Sequence, residues 1–590
     1  MNADGRRYLD PVLGLAIATQ TAFGAAFIAS ARFEVSGRTY FTLFDDAMVS
    51  MTYARNLAEG HGLVWNAGGA AVEGYTNFLW TLWMALLHAA GIAESHVSLA
   101  VGLSGLAILL ANLVVLWQLA RVVSASRDTA RLTVLTVSLC YPLIFWTLRG
   151  MEVGLLALVL NLALLQALSP SPSGRRRFLL LVSLGLLPLI RADGIVPAAI
   201  VGAVAARTFF RNGHTRTAVA VIACPFVVLL AHTAFRWWLY GDLLPNTYYL
   251  KVSGVPLADR LSRGAGTLWE TLQSNLWLTL ALGLLIRADA RLRAIAAVVI
   301  AQAGYSVWVG GDAWEQSHYA NRYLAAVLPL AVLLGVRGVE GLLTGPRSVT
   351  RLVLAGVAGQ ILLVAAVIDS LTPSTFSPLT WTSAMILVGV GIKGVTGIWL
   401  LLTSAMIAAS RPLSSWPRRS LAVPALGLIV TLSGPFIGEW LDGDALHVRD
   451  DERAAKLGLA LRELTSPDAT IAVTWAGNIP YFARRTAIDL LGKSDVHVAH
   501  VRPRLPFVPG HDKWDYAYSV GELQPDVVVQ TWRASPADIR QIQSYGYDHI
   551  SRDAYVRAAT SRVDVAPLAA AFAEFDRTAP TSGPSSRPQR

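Results

Sequence analysis

Phe44-Asp45-Asp46-Ala47-Met48 is the stretch around which the chain is organised, because two adjacent carboxylates follow soon after a long apolar run at residues 9 to 31. The pattern that follows predicts an amphipathic helix from Asp46 to Glu59. Acids at the start of a helix are stabilised by the positive end of its dipole and by bonds from free backbone N–H groups. These residues alone leave a capping role and a chemical role equally open.

The composition is that of an integral membrane protein. Of 590 residues, 54% are hydrophobic and only 15% are charged, which is far more apolar than a soluble domain tolerates. The net charge of +10 comes from arginines in short clusters between apolar runs, so we expect no nucleic-acid partner. Cys140 and Cys224 lie inside apolar segments without metal or redox spacing. The run at 9 to 31 is long enough to span and is predicted to be a retained anchor.

The lengths of the apolar runs predict a mostly α, polytopic protein with about 11 to 13 transmembrane helices. The runs 177 to 190 and 194 to 206 are short enough to be half-helices or one broken hairpin. The run from Phe78 to Ile92 is too short to cross and is predicted to be interfacial or re-entrant. The candidate spans are residues 9–31, 98–120, 131–148, 151–169, 177–190, 194–206, 217–239, 274–286, 290–309, 323–336, 352–371, 384–409 and 421–437.

The charges of the connectors predict an orientation. Alternate connectors are rich in arginine and should face the cytoplasm, which places the N-terminus inside. The opposite connectors contain the Asp45-Asp46 loop and other polar clusters. We therefore expect a multi-pass protein of the inner (plasma) membrane, with its active site and C-terminal region on the extracytoplasmic side.

Three regions follow from these patterns. Residues 1–437 form the transmembrane domain, with a first outward loop at 32–77. Residues 438–576 have charges at ordinary frequency and alternating strand and helix patterns, which predict a small α/β domain. Residues 577–590 are rich in Pro, Ser, Thr and Arg and are predicted to be disordered. No Gly-rich phosphate loop is present, so no nucleotide cofactor is expected.

Polar clusters on the outward side predict a site. Arg149 with Glu152, and Arg191 with Asp193, stand in very short connectors between apolar runs, where ionisable groups are costly unless they pair or line a wet cavity. A shared cavity would combine such cations with Asp45. A carboxylate can act as general base on a hydroxyl, while arginines and lysines stabilise a phosphate leaving group without a metal. This combination fits transfer of a group from a lipid-linked phosphate to an alcohol.

The loop that follows Gly311 offers a metal-binding alternative. Asp312, Glu315 and His318 are spaced three residues apart, which is a weak signal for a metal site. We therefore predict no metal and no cofactor.

Several segments carry a resemblance to a known family. The chain resembles polytopic GT-C glycosyltransferases that use polyprenyl-phosphate sugars, and among them the mycobacterial terminal β-(1→2)-arabinofuranosyltransferases. The resemblance covers most of the chain and is most specific in the first outward loop. The matching segments are residues 44–49, 53–66, 72–80, Gly150-Met151-Glu152, Arg191-Ala192-Asp193, Tyr240-Gly241-Asp242, Leu244-Pro245-Asn246-Thr247, Gly477-Asn478-Ile479-Pro480-Tyr481, Ile488-Asp489 and Gly492.

The resemblance implies an inverting, metal-independent displacement. A polyprenyl-phosphate sugar such as decaprenylphosphoryl arabinose would be the donor, and a hydroxyl of a cell-wall glycan or glycolipid would be the acceptor. Asp45 would be the catalytic base with Asp46 as its partner. The donor phosphate would meet Arg149, Lys251, Arg322 and Arg191. Candidates for binding sugar or acceptor are Glu73, Tyr75, Asn77, Glu152, Asp193, Asp242, Asn246, Asp312 and His318.

Other interpretations stay open at the level of sequence. A transporter or flippase of lipid-linked sugars would also surround a polar cavity with spans, but it should show an internal repeat and sites near the bilayer midplane. No repeat is visible, and the polar clusters share one face. A lipid-A or protein O-glycosyltransferase with another donor is a further alternative. The C-terminal domain could cover the cavity, bind polymeric acceptor, or only stabilise the fold.

Overall fold

The computed structural model describes residues 10–124, 126–169, 173–275, 289–313, 321–344 and 448–577. The candidate spans 352–371, 384–409 and 421–437, nearly all of 274–286, and the tail beyond Arg577 lie outside the described residues. So does His318.

The described part of the region before residue 345 is mostly helical, as predicted. A short antiparallel hairpin, β1 (Arg32–Val35) and β2 (Arg38–Phe41), separates its first two helices. The helices are α1 (Pro11–Ala29), α2 (Asp45–Ala58), α3 (Phe78–Ala89), α4 (Glu94–Val123), α5 (Arg127–Val137), α6 (Tyr141–Leu148), α7 (Val153–Leu168), α8 (Gly174–Ile190), α9 (Ile195–Arg211), α10 (Thr215–Tyr240), α11 (Asn246–Lys251), α12 (Leu257–Ser274), α13 (Ala290–Val309), α14 (Arg322–Ala325) and α15 (Leu328–Thr344).

Within the described ranges, five helical segments are long and apolar enough to cross a membrane, which makes the chain a multi-pass membrane protein. They are α1, α4, α9 together with the 3₁₀ turn before it, α10 and α13. A sixth crossing is possible if α5 and α6, bent by 52°, count as one span. Helix α3 has only 12 residues, in agreement with the prediction that this run is too short to cross.

Two predicted spans are wrong as continuous helices, and a proline stands at each break. The run 131–148 divides into α5 and α6, with Pro142 in the first turn of α6. The run 323–336 divides into α14 and α15, and Pro329 is the second residue of α15. Proline has no N–H donor, so it is tolerated in the first turn of a helix but cannot continue a preceding one.

The C-terminal region is an α/β unit, as the alternating patterns predict. Its five-stranded sheet has the order β4-β3-β5-β7-β6. Strands β3, β4 and β5 are parallel, whereas β6 and β7 form an antiparallel hairpin that sequence reasoning missed. The elements are α16 (Val448–Leu464), β3 (Thr470–Val473), α17 (Asn478–Ala483), β4 (Thr486–Asp489), α18 (Val496–His500), β5 (Val527–Val528), α19 (Pro536–Ser544), β6 (Tyr547–Ser551), β7 (Ala554–Arg557) and α20 (Val565–Arg577).

Contacts between the two regions centre on α2 and α11. Helix α2 packs against α3 on one side and against α17 of the C-terminal region on the other, while α11 packs against α18. The chain ends of α2 and α11 that carry Asp45, Asp46 and Lys251 therefore lie against the C-terminal domain.

Candidate active site

Asp45 and Asp46 are the first two residues of α2, and neither caps that helix. Phe44 occupies the N-cap position, and no side chain accepts a capping bond there. The carboxylate of Asp45 instead accepts hydrogen bonds from the backbone N–H groups of Gly477 (3.2 Å) and Asn478 (2.8 Å). These groups open α17, so Asp45 binds the start of a helix in the other domain.

Gly477 is required for this contact. A Cβ atom built at Gly477 would lie 1.8 Å from the backbone carbonyl oxygen of Asp45, which no side chain tolerates. The absence of a side chain at Gly477 thus lets α17 approach the start of α2.

The neighbouring carboxylate, Asp46, is held by two cations. Its Oδ2 lies 2.9 Å from an Nη of Arg322, and its Oδ1 accepts a hydrogen bond from the Lys493 ammonium. The same Arg322 guanidinium forms a two-pronged pair with Asp312, with N···O distances of 2.5 and 2.9 Å. Such charge-assisted, bidentate pairs are strong and directional.

Burial and neighbouring charges shift the pKa values of the two carboxylates in opposite directions. Burial raises the pKa of Asp45 to about 6, although Lys493 and the N–H groups of α17 oppose the rise. Burial would also raise the pKa of Asp46, but Lys493, Arg322 and Lys251 together hold it far below its ordinary value. Near neutral pH, Asp46 is therefore a fixed anion, whereas Asp45 titrates close to the working pH of a general base.

Lys251, the last residue of α11, faces the same cluster. No hydrogen bond or ion pair joins its ammonium to any other residue in the described parts of the chain. Burial, together with the charges of Arg322 and Lys493, lowers the pKa of Lys251 to about 8, although Asp312 and Asp46 oppose this shift. Its stem packs near Gly510, where an added Cβ would lie 3.3 Å from the Lys251 Cε.

The position of Lys251 depends on a second lysine. Lys513, which is buried, donates from Nζ to the backbone carbonyls of Tyr249 (2.9 Å), Ser253 (2.9 Å) and Ala499 (2.8 Å). Two of these carbonyls belong to the end of α11 and the turn after it, where helix carbonyls lack partners of their own. Lys513 thus ties the end of α11 to the C-terminal domain.

Arg191, predicted to bind phosphate, lies in a separate buried network next to the cluster. Its guanidinium pairs with Glu152 (3.4 Å) and Asp193 (2.9 Å) and stacks 4.6 Å from the centre of the Tyr323 ring. Glu152 in turn accepts a hydrogen bond from the Asn77 side chain at 2.9 Å. The residues Asn77, Glu152, Arg191 and Asp193 thus form one paired network that fixes the helix ends next to Arg322.

Arg149, the other arginine in a short connector, is also not in the cluster. Its guanidinium lies 2.5 Å from the carboxylate of Asp451 in α16, and both side chains are almost completely buried. Asp451 also accepts a hydrogen bond from the Asn478 side chain at 3.0 Å. Arg149 therefore joins the two domains beside Asp45, with its charge already matched by Asp451.

The remaining predicted residues position the first outward loop and α11. Glu73 pairs with Arg236 of α10, and the hydroxyl of Tyr75 lies 3.0 Å from that of Tyr240. The Asn246 side chain donates to the backbone carbonyls of Gly492, Lys493 and Asp495, at 2.9, 3.0 and 3.2 Å.

Asp242 lies outside the cluster and accepts a hydrogen bond from the Tyr249 hydroxyl at 3.3 Å. Within the described residues, no group of three or more His, Cys, Asp or Glu side chains is arranged to hold a metal. Of the loop residues considered for a metal, only Asp312 is described, and it pairs with Arg322.

Comparisons with known proteins identify no established family for the whole chain. Residues 445–572 match a family described as Domain of unknown function (DUF8728). No curated protein matches the sequence.

Three solved structures are similar in outline. ArnT from Cupriavidus metallidurans bound to undecaprenyl phosphate has 14% identity and a TM-score of 0.49, covering 93% of this chain and 98% of that one. Apo ArnT from the same organism has 15% identity and a TM-score of 0.44, covering 81% and 86%. The apo oligosaccharyltransferase from Archaeoglobus fulgidus has 10% identity and a TM-score of 0.43, covering 96% and 77%.

Sequence reasoning missed the contribution of the C-terminal domain to the cluster. Lys493 contacts Asp46 directly, and Gly477 and Asn478 hold Asp45. A signal was present, because the segments that carry the resemblance include Gly477-Asn478 and end at Gly492, the residue before Lys493. Nothing in the sequence, however, tells that this isolated lysine reaches a carboxylate 447 residues earlier.

Proposed function

We propose that the chain is a membrane glycosyltransferase of the GT-C type. It moves a sugar from a polyprenyl-phosphate donor to a hydroxyl of a cell-envelope glycan, on the extracytoplasmic face and with inversion. The observation that carries the proposal is the contrast between two adjacent carboxylates, one poised to take a proton and one fixed among cations. A proton acceptor beside a cationic site is the arrangement that displacement of a phosphate by a hydroxyl requires.

Asp45 is the general base in this proposal. Its pKa of about 6 leaves it mostly ionised at neutral pH yet basic enough to accept a proton in the transition state. Its two backbone donors orient the carboxylate, and the side chain is only half-buried, so an acceptor hydroxyl can reach it. The proton of that hydroxyl passes to Asp45 as its oxygen attacks the anomeric carbon.

The leaving group is the polyprenyl phosphate. As the bond from the anomeric carbon to the phosphate oxygen breaks, the electron pair stays on that oxygen, and the phosphate gains negative charge. Lys251, whose ammonium has no partner among the described residues, and Arg322, already oriented by Asp312, are positioned to stabilise this charge. Asp312 keeps Arg322 in place, and Asp46 remains ionised beside it.

The identity of the sugar rests on the resemblance of the first outward loop, which favours arabinofuranose. The acceptor is proposed to be a cell-wall glycan for the same reason, and the location to be the inner membrane. Hydroxyl recognition depends on the shape of the sugar pocket, so a panel of donors is needed to name the substrate.

The test is transfer of labelled sugar by purified full-length protein from decaprenyl- and undecaprenyl-phosphate donors to a glycan acceptor. Release of polyprenyl phosphate together with a labelled product supports the proposal and names the donor. Absence of turnover with every donor, combined with movement of lipid-linked sugar across vesicles that contain the protein, would instead establish a transporter.

A further inference from the structure

We propose that the C-terminal domain is part of the catalytic site, because its Lys493 binds the phosphate of the lipid-linked donor. The phosphate would then lie between the two domains, held by Lys493 from one side and by Lys251 and Arg322 from the other. This inference rests on the proposed function and deepens it, since it gives the C-terminal domain a direct role in donor binding.

The loop that carries Lys493 is held rigidly. The buried carboxylate of Asp489, at the end of β4, accepts hydrogen bonds from the backbone N–H groups of Leu491 (3.0 Å), Gly492 (3.1 Å) and Ser494 (2.7 Å). From the other domain, the Asn246 side chain binds three carbonyls of the same loop. Both domains therefore fix the backbone on either side of Lys493, which orients its ammonium toward Asp46.

The charges around this ammonium favour an anionic ligand. Lys493, Arg322 and Lys251 face two carboxylates that stay ionised, Asp46 and Asp312, and a third, Asp45, that loses its charge when it accepts a proton. Once Asp45 has taken the proton of the acceptor hydroxyl, one positive charge is left over for the phosphate that leaves.

The cluster is also reachable, unlike the buried ion pair of Arg149 and Asp451 between the same domains. The side chains of Asp46 and Lys493 are 12% and 14% exposed, compared with 2% and 1% for Asp451 and Arg149. A ligand can therefore exchange with Asp46 at the Lys493 ammonium without opening the domain interface.

The chemistry requires this positive charge most in the transition state. The phosphodiester carries one negative charge, and the released polyprenyl phosphate carries up to two once the anomeric C–O bond has broken. An ammonium near the leaving oxygen therefore binds the phosphate more tightly as the bond breaks. Because this stabilises the transition state more than the ground state, it accelerates the displacement.

The competing explanation is that Lys493 only ties the domains together through Asp46. Two variants separate these roles because they remove opposite halves of the same pair. Lys493→Met removes the proposed phosphate ligand, whereas Asp46→Asn releases Lys493 and Arg322 from a competing anion. A matched control is Lys456→Met, which makes the same chemical change at an exposed position of α16 in the same domain.

The experiment measures the affinity of the full-length protein in nanodiscs for undecaprenyl phosphate. We expect Lys493→Met to bind about 10-fold to 100-fold more weakly than wild type, as for loss of a charged hydrogen bond. Asp46→Asn should bind at least as tightly as wild type, and Lys456→Met should be unchanged.

Equal affinities for Lys493→Met and wild type, or a parallel loss in Lys493→Met and Asp46→Asn, would overturn the inference. If Lys493→Met does not fold, a weaker affinity of Asp46→Asn for undecaprenyl phosphate would by itself overturn the inference. Failure of the wild-type protein to bind undecaprenyl or decaprenyl phosphate would instead count against the proposed function itself.

Discussion

The buried ion pair between Arg149 and Asp451 provides a quantitative test of how the two domains are joined. Replacing Arg149 by Met leaves the Asp451 carboxylate buried, with only the Asn478 amide as a donor among the described residues. Breaking a buried pair by removing one partner costs about 3–5 kcal/mol. The variant Arg149→Met should therefore open the interface between α16 and the transmembrane domain about 10² to 10⁴ times more often.

The double variant Arg149→Met/Asp451→Asn should recover most of this loss. Asparagine removes the uncompensated charge and still offers an oxygen to Asn478. The single variant should also recover at acidic pH. Burial already raises the pKa of Asp451 well above its ordinary value, with Arg149 opposing, so without Arg149 the folded state takes up a proton more readily than the unfolded state. The stability of the Arg149→Met variant then falls as the pH rises above the pKa that Asp451 has in the unfolded state.

Hydrogen exchange of the segments 448–464 and 477–483 is the appropriate assay, because a membrane protein of this size does not unfold in two states. Exchange in Arg149→Met should be fastest at pH 8, slower at pH 5.5, and close to wild type in the double variant, after correction for the intrinsic pH dependence of exchange. Equal exchange in the single and double variants at both pH values would show that an unpaired Asp451 charge does not destabilise the interface. Weaker binding of undecaprenyl phosphate by a double variant with wild-type exchange would show that Arg149 contacts the donor after all.

Three further predictions concern the site. Gly477→Ala should separate the domains and abolish transfer, because its Cβ would lie 1.8 Å from the backbone carbonyl oxygen of Asp45. The control, Gly266→Ala on α12, adds a Cβ in open space and should not lower the unfolding temperature. The transfer rate should fall as pH drops through about 6, where Asp45 gains a proton and can no longer act as base, and kcat/KM against pH measures this. Lys513→Met should speed hydrogen exchange in residues 246–255, since the carbonyls of Tyr249 and Ser253 lose their donor, and Lys456→Met should not.

The architecture could be predicted because its signals are local. Apolar runs report helices whatever they pack against, and the change of composition after the last run indicates a different kind of domain. The errors arose where a proline divides an apolar run, as at Pro142, because hydropathy does not register a missing N–H donor. The β6–β7 hairpin was missed because short strands give weak patterns.

The site was predictable only in part because charge pairing is a long-range property. The sequence places Arg149, Arg191 and Arg322 in similar outward connectors, and nothing local distinguishes them. The structure does so through their partners: Asp451 for Arg149, Glu152 with Asp193 for Arg191, and Asp46 with Asp312 for Arg322. The pKa of Asp45, which burial raises, likewise depends on the C-terminal domain, which supplies Lys493, Asn478 and Gly477 around the carboxylate.

The role of Asp45 as general base is tested most directly by the single-turnover rate of sugar transfer by Asp45→Asn, at saturating donor and pH 7.5. Asparagine keeps the size of the side chain and an oxygen for the N–H groups of α17, but it cannot take a proton. We expect a loss of about 10² to 10⁴ in rate with unchanged affinity for undecaprenyl phosphate, and no loss in Asp259→Asn, an exposed site on α12. Transfer by Asp45→Asn at a rate near that of wild type would show that Asp45 is not the general base.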